Sequence, residues 1–166
     1  VKLIENFDVI KVVFRDEHPE PNRPESRKIY PEFVQKIGHI KDENARNILL
    51  NYTEPGDFLH DDSWHGRKTL GMIKPTDARF LLSSDGFPMV KFFCNSKNCK
   101  GHICEVGELM KFDGVGRPIH EYNSVQFQEI FDSLKNKDLR FVMGTIRKHP
   151  QRWLLISIHV VGDKLK

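Results

Sequence analysis

All three cysteines of the chain fall in one stretch, FFCNSKNCKGHIC (92–104), with a histidine between the last two. Four residues separate Cys94 from Cys99, two separate Cys99 from His102, and one separates His102 from Cys104. Thiolate sulfur and imidazole nitrogen are the ligands that a tetrahedral zinc ion takes. Such a site needs a chain that turns back between ligands, and NSKN and KG supply turn-forming residues at those places. The strand MVKFF brings Cys94 to the end of a sheet, and NSKN folds Cys99 back towards it. His102 and Cys104 share one face if the chain is extended there. The spacing matches no common finger or knuckle, and two residues compete as fourth ligand. Cys104 is nearest in sequence, and His149, in RKHPQRW, is its rival.

Two other readings of the cluster stand beside zinc. Reduced cysteines often act as small buried hydrophobes. A reactive thiol is the second, since Lys97 and Lys100 favour a neighbouring thiolate. Elsewhere, HDDSWH (60–65) offers His60, Asp61, Asp62 and His65, residue types from which a hydrolytic metal centre can be built. Lys135 to Trp153 holds six Lys and Arg against one Asp, and TIRKHPQRW gathers Arg147, Lys148, His149, Arg152 and Trp153. Cations meet phosphates and an exposed ring stacks on a base, so this segment is a candidate nucleic-acid surface. The competing role for Trp153 is core packing at the start of a strand. His159, inside an apolar strand, is expected to be a core histidine.

These residues need a scaffold, and 166 residues with 39% hydrophobic and 30% charged side chains suit one globular domain. No apolar run approaches a membrane span, and VKLIENFDVI lacks the pattern of a signal peptide. An odd count of three cysteines argues against a secreted disulfide scaffold. We therefore expect a cytoplasmic protein with no membrane contact. The first residue is Val, which suggests a trimmed sequence or the later part of a longer one.

FDVIKVVFR (7–15) reads as a strand, and the proline-rich DEHPEPNRPESRK after it as an extended connector. Phe33, Val34, Ile37 and Ile40, then Ala45, Ile48 and Leu49, predict two short helices between Pro31 and Tyr52. TEPGDFLHDDSWHGRK is the longest loop. TLGMIKP, ARFLL and FPMVKFFC read as strands, whereas EVGELMKF fits either a strand or a short helix. Asn123 caps a helix over 124–135, with Phe127, Ile130, Phe131 and Leu134 on one face. LRFVMGTIR and WLLISIHVV close the chain as an antiparallel hairpin around the loop KHPQR. The sum is α+β: a mostly antiparallel sheet with a few short helices, a C-terminal hairpin and a zinc-stapled loop.

NRPESRKI (22–29), LGMIKP (70–75), CNSKNCKGH (94–102) and GTIRKHPQRWLLISI (144–158) occur in an order that resembles an uncharacterised prokaryotic family. Its pattern has an Arg-Pro-Glu-Ser segment, a Cys-x4-Cys-x-Gly-His motif and a Gly-Thr…His-Pro…Trp hairpin. Its members look longer at the N-terminus, with extra strands like those of dual OB-fold proteins. The family's Asp-Trp-Glu segment is replaced here by ICEVGEL. The resemblance implies that Cys94, Cys99, His102 and His149 belong together.

The leading expectation is a zinc-stabilised module that binds nucleic acid through Lys97, Lys100, Arg147, Lys148, Arg152 and Trp153. A metal-dependent nuclease or other hydrolase, using His60, Asp61, Asp62 or the cysteine cluster, is the enzyme alternative. A protein–protein adaptor with a structural zinc is the third.

Overall fold

The computed structural model describes residues 7–15, 28–60, 68–107, 111–112, 118–119, 124–146 and 149–163, with backbone alone for 111–112, 118–119, 124, 146 and 149–151. Among these residues the architecture is α+β and mainly antiparallel. Two three-stranded sheets hold the core. In one, β10 (His149–Asp163), β9 (Lys137–Ile146) and β3 (Leu70–Ile73) lie side by side; in the other, β4 (Thr76–Leu82), β5 (Pro88–Phe93) and β6 (His102–Glu105) do. The free edges of β6 and β10 meet at a single parallel bridge, Val106 to Leu155. Short pairs form β1 (Asp8–Lys11) with β2 (Gln35–His39), and β7 (Lys111–Phe112) with β8 (Pro118–Ile119).

Strand periodicity explains the core. Along β5, Pro88, Val90 and Phe92 are buried while Lys91 and Phe93 face outward. This is the alternation of a sheet with one wet face. Phe92 meets Phe141 of β9 edge to face at 5.3 Å, and both are fully buried. Burial of such a side chain contributes about 1.5–3 kcal/mol. Helix α2 (Ser124–Leu134) buries Phe127 and Phe131, and Phe131 stacks on Phe80 of β4 at 4.3 Å. Helix α1 (Asp42–Asn51) buries Ala45 and Leu49, with Asp42 and Glu43 in its first turn, where the helix dipole favours acids. Arg140, 4% exposed, donates to Thr53 Oγ1 and to Asp138 Oδ1, both at 2.8 Å, and so ties the chain after α1 to β9.

The first of the two helices expected between Pro31 and Tyr52 does not form. Pro31–Phe33 makes one 3₁₀ turn, and Gln35–His39 becomes β2, paired with β1 from Asp8↔His39 to Lys11↔Gln35. Helical spacing put Phe33 and Ile37 on one face, yet they are 57% and 60% exposed. Pairing with β1 satisfies the backbone there, and no core contact rewards the helical pattern. The terminal hairpin also has a tighter connection than KHPQR, because Ile146 and His149 are already register partners. EVGELMKF is mixed: Glu105 ends β6, Val106 forms the bridge, Gly107 is in a 3₁₀ conformation, 108–110 lie outside the described residues, and Lys111–Phe112 is β7. The connector over 16–27, Asn123 and most of HDDSWH lie outside the described residues.

Candidate metal centre

Four side chains converge at one end of the β4-β5-β6 sheet: His60, Cys94, Cys99 and His102. Their ligand atoms all lie within 4.8 Å of one another. Each arrives on a different local device. Cys94 follows the last residue of β5. The turn after it is closed by the Cys99 N–H donating to the Ser96 carbonyl at 3.2 Å and the Asn98 N–H donating to Ser96 Oγ at 3.3 Å. That turn swings Cys99 back, and the Cys94 N–H then donates to Cys99 Sγ at 3.2 Å. Gly101, at φ +95°, takes the left-handed backbone needed to reverse the chain into β6. His102 opens β6 as the register partner of Phe92, and its ring stacks on that phenyl at 5.0 Å.

His60 comes from a distant part of the chain. It follows a 3₁₀ turn, Gly56–Leu59, and its N–H donates to the Asp57 carbonyl at 3.0 Å. Phe58 anchors that turn in the core, edge-on to Trp153 at 5.1 Å. Gly56 lies against Cys94: a Cβ there would overlap the Cys94 Cβ and come within 2.7 Å of its Sγ. Only glycine allows this approach.

The distances among His60, His102 and Cys94 are close to those around a small tetrahedral ion. With metal–nitrogen bonds of about 2.0–2.1 Å and metal–sulfur bonds of about 2.3 Å, tetrahedral geometry requires N···N of about 3.3 Å and N···S of about 3.6 Å. Here His60 Nε2 and His102 Nε2 are 3.2 Å apart, and they lie 3.1 and 3.4 Å from Cys94 Sγ. Burial, and then the charge of His60, push His102 down to about 4, so its imidazole is neutral at physiological pH. Burial also pushes the Cys94 thiol up to about 11, against the Ser96 backbone hydrogen bond, which favours the thiolate. A divalent cation reverses that balance by stabilising the thiolate directly. The cluster is thus a His2Cys2 donor set compatible with a bound metal ion.

Cys94, Cys99 and His102 are the residues singled out from spacing, and the structure brings them together. Cys104, one of the two candidates for the fourth position, is absent from the group. It lies two residues beyond His102 on the same face of β6, one pleat or about 7 Å farther along. Its thiol is buried in the core, pushed up to about 12 by desolvation, and bonded to the Leu155 backbone. His149 begins β10, and its side chain lies outside the described residues. His60 stands with the cluster instead. The sequence had marked it as metal-capable, but alongside Asp61, Asp62 and His65, which lie outside the described residues.

Of the cationic candidates, Lys97 and Lys100 are exposed on the turn between the ligands. Arg152 is exposed and pairs with Glu105 of β6. Trp153 is half-buried against Phe58 and the edge of the core. Arg147 and Lys148 lie outside the described residues. His159 is half-buried rather than in the core; it packs edge-on to Phe7 at 5.7 Å and lies 2.9 Å from Ser157 Oγ. Among the described residues no helix is long and apolar enough to cross a membrane.

Compared with models of known families, with characterised proteins and with solved structures, the chain matches none.

Proposed function

We propose that the protein is a zinc-stabilised binding module whose partner is nucleic acid. The convergence of His60, Cys94, Cys99 and His102 carries the first half of this reading. Two nitrogens and two sulfurs are a donor set suited to zinc, and four protein ligands leave no open position for a catalytic water. The ion would staple the 56–60 turn to the ends of β5 and β6. Three free thiols are in keeping with a reducing compartment, which supports a cytoplasmic location. The second half rests on charge. Lys97 and Lys100 project from the stapled turn, and Arg152 is exposed on the neighbouring strand.

Elemental analysis and strand binding test the two halves separately. We expect one zinc per chain, and an affinity for labelled single-stranded oligonucleotide that falls steeply between about 50 and 200 mM salt. Protein purified without stoichiometric metal would overturn the zinc centre. Absence of binding to single or double strands at low salt would overturn the nucleic-acid reading and leave an adaptor held by a structural ion. A metal-dependent hydrolysis of either strand would instead favour the enzyme.

A further inference from the structure

Beside the metal centre the two sheets part. Ahead of their bridge at Val106 and Leu155, β6 and β10 share no pairing among the described residues, and a cavity of about 240 Å³ opens between them. Met89, Met143 and Trp153 line it, with the Arg152–Glu105 ion pair also on its wall and His102 at the side of the cluster. The volume is below the roughly 300–1,000 Å³ of pockets for drug-sized ligands, so it accommodates one flat ring and little else. The half-buried Met89 thioether and the Trp153 indole suit the face of such a ring, over a floor closed by the buried Met143. A guanidinium and a carboxylate side by side offer donors and acceptors to its edge.

We propose that this slot takes one unstacked base of a single-stranded nucleic acid, lying against Trp153 and Met89, with Arg152 and Glu105 reading its edge. The inference rests on the nucleic-acid reading above and names the part of the strand that the protein grips. Charge favours this occupant: Lys97 and Lys100 stand exposed on the turn leading into β6, where the phosphates flanking the base would run. A peptide strand added to the free edge of β6 is the competing occupant. It would draw on backbone hydrogen bonds and gain nothing from a base.

The chain has two tryptophans, so a Trp64→Phe background leaves Trp153 as the sole reporter. That protein, loaded with zinc, is titrated with an oligodeoxythymidylate of about ten nucleotides and with the same backbone made abasic. We expect the normal strand to quench Trp153, and the abasic strand to bind about tenfold more weakly without quenching, as loss of base stacking implies. Glu105→Gln should change the preference among homopolymers while zinc content stays constant. Lys97→Glu with Lys100→Glu should weaken both strands alike. Equal binding of normal and abasic strands with unchanged Trp153 emission would overturn the slot and leave nucleic-acid binding intact. Failure of both strands to bind at low salt would overturn the reading beneath it, and the slot with it.

Discussion

His60 Nε2 and His102 Nε2 face each other at 3.2 Å, although 41 residues of chain separate the two histidines. Only one proton can sit between two nitrogens across that gap, and a thiol sulfur lies within 3.4 Å of each nitrogen. A cation satisfies every lone pair at once. The pair also brings His60, rather than Cys104, to the cluster.

Substitution separates the rival fourth ligands. His60→Ala and Cys99→Ser should each lose stoichiometric zinc, whereas Cys104→Ser and His149→Ala should keep it. Elemental analysis of the four purified variants is the measurement, and zinc lost from His149→Ala but kept in His60→Ala would sink the assignment.

Metal affinity should rise with pH. Without metal, Cys94 is a protonated thiol, held up at about 11 by burial, and His102 is neutral down to about 4. Binding must therefore expel the Cys94 proton, while His102 releases none near neutrality. Competition against a chelator between about pH 6 and 8, corrected for the chelator's own protonation, should show affinity climbing with pH. A flat profile would mean that the Cys94 thiol is not a ligand.

Gly56→Ala should cost about 1–3 kcal/mol, the usual penalty of forcing an extra carbon into a packed site. Because that carbon would press on Cys94, zinc should also be held more weakly. Thermal denaturation with and without chelator measures both effects. An unaltered midpoint in the zinc-loaded variant would show that the 56–60 turn does not rest on Cys94.

Asp138 should give the protein an acid-sensitive tie remote from the metal. Burial alone would raise its carboxyl, but hydrogen bonds from Arg140 and Lys74 outweigh it and hold the group below its usual 3.8. A depressed acid contributes stability that is complete above the unfolded value and is lost as pH falls through the folded one. Asp138→Asn should therefore cost about 1–2 kcal/mol at neutral pH, and the two proteins should converge in strong acid. Denaturant midpoints at pH 7 and below 3.8 compare them, and a difference that persists in acid would exclude the linkage.

Strands whose alternation matched their burial were legible in the sequence. FPMVKFFC announces β5 because alternate residues face the core, and α2 follows from Phe127 and Phe131 one turn apart. β2 was not legible, since Phe33 and Ile37 mimic a helical face, whereas Phe33 ends a 3₁₀ turn and the residues around Ile37 pair with β1. The same contrast divides the site. Cys94, Cys99 and His102 are joined by a local turn, so spacing reveals them. His60 reaches them only because a 3₁₀ turn docks on Cys94 through Gly56, and no linear pattern records a long-range contact of that kind.

The close seat of Gly56 on Cys94 has a consequence for descent. Any lineage that keeps a thiol at position 94 has no room to enlarge position 56, so the two should be lost together or kept together. Gly-x3-His followed by Cys-x4-Cys-x2-His is then one heritable unit written in two places. Where overall likeness has faded, that split signature is what should still identify kin.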